Sequence, residues 1–82
     1  MKYKKYKPDT YNLQRMRKIG CLLKEYRIEN LLSREELSKT NMISRSLIER
    51  AETGQNITLQ SYFRLCDILM ADPIEIMNII DD

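Results

Sequence analysis

The chain has no histidine, a single phenylalanine, and only two glycines and two prolines among its 82 residues. Without histidine it lacks the side chain that most often moves protons near neutral pH or ligates metals. Two isolated glycines build no glycine-rich loop of the kind that cradles phosphates. No nucleophile–base pair or metal constellation can be assembled, so neither an enzyme nor a cofactor is expected. No apolar run is long enough to span a bilayer, and no secretory signal pattern opens the chain, so a cytoplasmic protein with no membrane partner is expected. The two cysteines, Cys21 and Cys66, fall in predicted helices without metal-like pairing, and buried reduced thiols are expected rather than a disulfide or redox switch. A chain of this length makes one domain with a modest core, near the limit of five short helices sharing apolar faces. No separate ligand-sensing or catalytic domain is expected.

The chain is rich in charge, unevenly placed. Residues 1–27 carry nine Lys/Arg against Asp9 and Glu25, whereas residues 28–82 carry five against ten acids. The net charge of +2 hides this division. A basic half beside an acidic half suggests one face for a polyanion and another for something else. The alternative is a soluble tail on an ordinary mixed surface. Residues 1–9 form a basic arm closed by Pro8-Asp9. Its Lys2, Lys4, Lys5 and Lys7, interleaved with Tyr3 and Tyr6, suit phosphate contact along a duplex groove. A flexible solubilising tail is the other reading.

Residues 10–82 read as one all-α domain of five helices. The first runs from about Thr10 or Tyr11 to Glu29, with Leu13, Met16, Gly20, Leu23 and Arg27 near one inward stripe. Ile19, Leu22 and Tyr26 lie beside that stripe. Gly20 inside the helix costs stability and marks a close helix contact. A fourth helix opens at Thr58 and places Leu59, Tyr62, Leu65, Cys66 and Leu69 on one face. A fifth begins with Asp72 as N-cap and Pro73 at its first position. Its Ile74, Ile76, Met77, Ile79 and Ile80 exceed the needs of one buried stripe. The surplus is expected to pair with a second copy through Met70, Ile74, Ile76, Ile79 and Ile80. The alternative is that all of them pack into the core.

Between these lie two short helices joined by a tight turn, residues 33–54. Ser33 is an N-cap, and Glu36 completes a capping box three residues later. Leu37 is the inward anchor of the first. Ser44 caps the second, where Ile48 and Ala51 define a buried stripe. Arg45, Ser46, Glu49 and Arg50 then face outward, with Leu47 at the margin. A short helix with Arg and Ser at its N-terminal end is a shape that enters a DNA major groove.

The stretch from about Leu23 to Met77 resembles the helix-turn-helix of the phage Cro/repressor (XRE-type) DNA-binding domains. The resemblance is carried by Leu32-Ser33-Arg34-Glu35-Glu36-Leu37 and Ile43-Ser44-Arg45-Ser46-Leu47-Ile48. Ala51-Glu52-Thr53-Gly54 is similar to the family's Leu-Glu-x-Gly close, and Asp72-Pro73-Ile74-Glu75-Ile76 to its fifth helix. It implies a five-helix lambda-repressor-like domain in which Arg27 and Glu52 form a structural ion pair. The chain departs from the family at several points. Asn41-Met42 replaces a hydrophobic residue and Gly in the turn, so the chain is expected to bend at Asn41 while Met42 packs inward. Leu31 stands where Gly commonly ends the first helix, which makes Asn30 the expected C-cap. Arg34 replaces a common Gln, and Ile57 sits where Pro is frequent.

The function implied is a sequence-specific double-stranded DNA-binding transcriptional regulator, dimeric, on a palindromic operator. It would serve as a repressor of a phage, plasmid or conjugative element, or as a restriction–modification controller. Arg45 and Arg50 would make bidentate contacts to guanine, Ser46 would meet a base or phosphate, and Leu47 a thymine methyl. Glu49 would accept from cytosine or repel the wrong register. Arg34, Ser44, Asn56 and Thr58 would hold phosphates beside the lysines of the arm. The alternative is an antitoxin-type interaction module that binds a toxin through the acidic half as well as its own promoter.

Overall fold

The structure, a computed structural model, describes residues 10–81. Its five helices are α1 (Thr10–Glu29), α2 (Arg34–Asn41), α3 (Arg45–Glu52), α4 (Leu59–Leu69) and α5 (Pro73–Ile80). No strand occurs among the described residues. The long α1 is the spine, packing against α3, α4 and α5, while α2 packs on α3. Leu23, Leu37, Ile48, Cys66 and Ile76 are fully enclosed where these elements meet.

Each helix after the first starts where a short polar side chain satisfies exposed amides. Ser33 Oγ accepts from Glu36 N at 3.0 Å, and Glu36 Oε1 accepts from Ser33 N at 3.2 Å, completing the capping box. Ser44 Oγ accepts from Leu47 N at 3.0 Å, and Thr58 Oγ1 from Ser61 N at 3.1 Å. Asp72 Oδ1 takes Ile74 N at 2.9 Å, ahead of Pro73, which has no amide to satisfy.

Two helix ends differ from the sequence expectation, those of α1 and α2, and the end of α4 is built in the same way as theirs. Leu31, Met42 and Met70 take the left-handed conformation with φ of 59°, 54° and 57°, rather than Asn30 or Asn41. In each case the next amide reaches back five residues: Leu32 to Arg27 O, Ile43 to Ser38 O and Ala71 to Cys66 O. This is the Schellman pattern, built here without glycine. It turns one side chain into solvent and the next into the core. Met42 is therefore 88% exposed rather than packed inward, and Ile43 is buried in its place. The two asparagines stay close to helical and use their amides on nearby carbonyls instead. Asn30 Nδ2 donates to Tyr26 O at 2.7 Å, and Asn41 Nδ2 to Leu37 O at 3.1 Å.

A left-handed L-residue costs about 1–2 kcal/mol, which glycine avoids at some expense in unfolded-chain entropy. Leu31→Gly and Met42→Gly are each expected to stabilise the fold by about 0.5–1 kcal/mol, raising Tm by roughly 2–8 °C. Thermal melts check this, and a lowered Tm for both would contradict it.

The helix faces also differ from expectation in places. Leu13 and Leu59, expected in the core, are largely exposed, as is Cys21; Cys66 is buried as expected, and both thiols are free. Burial pushes the Cys66 thiol above its ordinary value, so it stays protonated and unreactive. Ile76 and Ile80, expected at a dimer interface, belong to the monomer core instead. They lie one turn apart on the face that α5 turns inward. Of the expected dimer set, Met70, Ile74 and Ile79 remain exposed.

Candidate nucleic-acid interface

The outward face of α3 depends on how firmly its inward face is fixed. Gly20 lies directly against the backbone of α3's last turn. A Cβ at that position would sit 2.5 Å from Ala51 O and 2.7 Å from Glu52 O. Further along α1, Arg27 meets Glu52 in a bidentate pair. Arg27 Nε donates to Glu52 Oε2 at 2.6 Å and Nη2 donates to Oε1 at 3.0 Å. Arg27 Nη1 donates to Leu32 O at 2.8 Å, so the same guanidinium ties down the α1–α2 connection. Planar, two-point geometry suits arginine to this task.

Glu52 also accepts from Arg34 Nε at 3.1 Å. Arg34, expected to hold a phosphate, is thus partly committed to the fold at the start of α2. A further clamp lies outside the sequence expectations. Arg64 of α4 donates through Nη2 to Asn41 O and Met42 O, both at 3.3 Å, bracing the α2–α3 turn. That Arg64 is the single cation of α4 is the only sequence signal for it.

On this base α3 presents Arg45, Ser46 and Arg50 to solvent. Arg45 Nε donates to Glu49 Oε1 at 3.2 Å. Arg50 Nη2 donates to the carbonyl of Asn56 at 2.7 Å, fastening the α3–α4 loop to the helix. Asn56 therefore contributes its backbone to α3, a role separate from the expected phosphate contact. Ser44 and Thr58 each accept one helix-cap amide on the hydroxyl oxygen, and the Thr58 hydroxyl donates to Ser61 Oγ at 2.9 Å. Leu47, expected to meet a thymine methyl, is half-buried and packs against the core. It sits one residue before Ile48, near enough to the inward stripe to be drawn into it.

Beside α3 the surface opens into a cleft of about 400 Å³ lined by Lys24, Arg27, Ser33, Arg34, Glu35 and Arg45. Cations from α1, α2 and α3 converge on it. Glu35 is paired with Lys39 at 3.2 Å; Arg27 and Arg34 share the single carboxylate of Glu52, and Arg45 is paired with Glu49, so cations still outnumber acids around the cleft. Lys24 is absent from the residues singled out in the sequence. It lies three residues before Arg27 on α1, and only the basic character of that half of the chain hinted at it.

Comparison with known protein families and with curated proteins finds no match to this chain. The chemistry of the face itself is what bears on function. Lys2, Lys4, Lys5 and Lys7 lie outside the described residues. Among the described residues no group of three or more His, Cys, Asp or Glu side chains is placed to hold a metal. No described helix is long and apolar enough to cross a membrane.

The remaining members of the expected dimer set do not share one surface. Ile79 flanks a shallow groove with Leu22 and Cys21 on the α1 side. Met70 and Ile74 sit at the α4–α5 turn, and Asn30 Nδ2 reaches Leu69 O at 3.4 Å there. That contact brings the exposed Leu31 at the end of α1 toward the same end of the molecule.

Proposed function

We propose that the protein binds double-stranded DNA sequence-specifically, with α3 in the major groove, and regulates transcription as a dimer. The observation that carries this reading is a rigidly seated helix with Arg45 and Ser46 at its exposed N-terminal end, continuous with a cleft lined by Lys24, Arg34 and Arg45. Side chains at the start of such a helix reach base edges, and cations alongside it neutralise phosphates. The resemblance to Cro/repressor domains supports the same assignment, with a repressor or restriction–modification controller as the role.

Arg45→Ala is expected to weaken binding to a preferred duplex by about 1–3 kcal/mol and to change binding to random duplex far less. Lys24→Ala should weaken both equally and flatten the dependence on salt, with a loss of about one unit in the log–log slope. Fluorescence anisotropy titrations at several salt concentrations separate these cases. Equal losses on both duplexes for Arg45→Ala would mean that it touches only phosphates.

A single recognition helix binds too weakly to act alone, and two heads spaced about 34 Å apart would read a palindrome. The second copy docks through the α4–α5 turn, where Met70 and Ile74 are 80% and 70% exposed. Changing both to Asp is expected to give a folded monomer with weakened operator binding. Sedimentation of the unmodified protein as a monomer at tens of micromolar, free and on DNA, would refute that docking. The antitoxin reading shares the DNA face and assigns the acidic end, with Asp72 and Glu75 beside Ile74, to a toxin. Stable co-purification with a second protein would favour it.

A further inference from the structure

The Arg45–Glu49 pair on α3 runs against the helix's own dipole. A helix N-terminus carries partial positive charge and favours acids there and bases at the far end. The neighbouring α2 obeys this rule, with Glu35 and Glu36 in its first turn, Lys39 in its last, and Glu35 paired to Lys39. In α3 the last turn obeys the rule through Arg50, but the first turn does not. Arg45 occupies the first position, no acid lies in the first turn, and Glu49 comes four residues later. The resulting Arg45–Glu49 pair has the orientation that helps a helix least. Its side chains are 60% and 46% exposed, so it adds little to stability. Helix formation does not account for this arrangement.

The geometry of the pair does suggest a use. A guanidinium offers two edges that can donate a pair of parallel N–H bonds: one includes Nε, and the other joins the two terminal nitrogens. Glu49 engages Arg45 through Nε, leaving the terminal edge open. That edge matches the O6 and N7 acceptors of guanine. Arg50 is different, because one of its terminal nitrogens already donates to Asn56 O. Of the two arginines on this face, Arg45 alone keeps its terminal edge whole.

We propose that Glu49 is a positioning residue for base recognition: it holds Arg45 with its terminal edge presented to a guanine in the major groove. The proposal rests on the DNA-binding reading above. It also replaces the expectation that Glu49 itself accepts from cytosine. A carboxylate on a face turned toward phosphates repels them, so Glu49 lowers affinity for all duplexes while sharpening the choice among them. Fixing a long side chain before binding reduces the ordering cost of the contact.

The test is a double-mutant cycle on a duplex selected by the unmodified protein, on the same duplex with its critical guanine replaced, and on random duplex. Glu49→Gln is expected to raise affinity for random duplex about threefold by removing a repelling charge. It should reduce discrimination at the guanine about tenfold. In an Arg45→Ala background, Glu49→Gln should leave discrimination unchanged. Glu49 is on the surface, and circular dichroism melts will confirm that each variant is folded. Unchanged discrimination in Glu49→Gln alone would overturn the proposal while leaving DNA binding intact. An equal loss in both backgrounds would also overturn it, because Glu49 would then read a base directly. Absence of any sequence preference in the unmodified protein would overturn both the DNA reading and this proposal.

Discussion

Gly20→Ala is expected to remove much of the protein's stability, even though alanine is the better helix former by about 1 kcal/mol. The added methyl would lie 2.5 Å from Ala51 O and 2.7 Å from Glu52 O, and both are backbone atoms with no rotamer to escape into. α1 and α3 must therefore separate. Overpacking of this kind costs about 1–3 kcal/mol and sometimes more. Here it also loosens the Arg27–Glu52 pair along the same seam, which argues for the upper end, about 3 kcal/mol. A domain of this size holds roughly 5–10 kcal/mol in total. Urea denaturation checks the expectation. An alanine variant at least as stable as the parent would show that α1 and α3 do not approach this closely.

The second large effect is expected at Glu52. Glu52→Ala removes both hydrogen bonds to Arg27 and the one to Arg34. The Arg34 side chain is 31% exposed and can turn to water, but that of Arg27 is only 10% exposed and cannot. An uncompensated buried charge costs about 3–5 kcal/mol, and the partial exposure of Arg34 places the expectation near the lower bound. The double variant Arg27→Met, Glu52→Leu is expected to lie closer to the parent than either single change, because no charge is left unpaired. Denaturant melts of the three variants test this. A loss under about 1 kcal/mol for Glu52→Ala would contradict the weight placed on the pair.

How much of this was legible in the sequence depends on the range of the forces involved. The caps at Ser33, Ser44, Thr58 and Asp72 are local, spanning two or three residues, and their positions could be read directly. The inward stripe of α3 through Ile48 and Ala51 was equally plain from its spacing. Helix ends were harder, because the left-handed residue is set by its neighbour on the C-terminal side. Leu32, Ile43 and Ala71 must turn toward the core, so Leu31, Met42 and Met70 take the strained conformation despite being neither Gly nor Asn. In α5, every apolar residue fits some helical face. Choosing Ile76 and Ile80 as the inward pair required knowing where α1 lies. Lys24 and Arg64 act across gaps of many residues, on a cleft and a turn that only the fold creates. The role of the arm falls outside the described residues altogether.

The most direct test of the central claim is selection of bound sequences from a random duplex library with the purified protein. The expected result is a palindromic motif with half-sites about one helical turn apart and a guanine whose enrichment is lost in Arg45→Ala. Recovery of unenriched sequence from the unmodified, folded protein would contradict the proposal that α3 reads DNA.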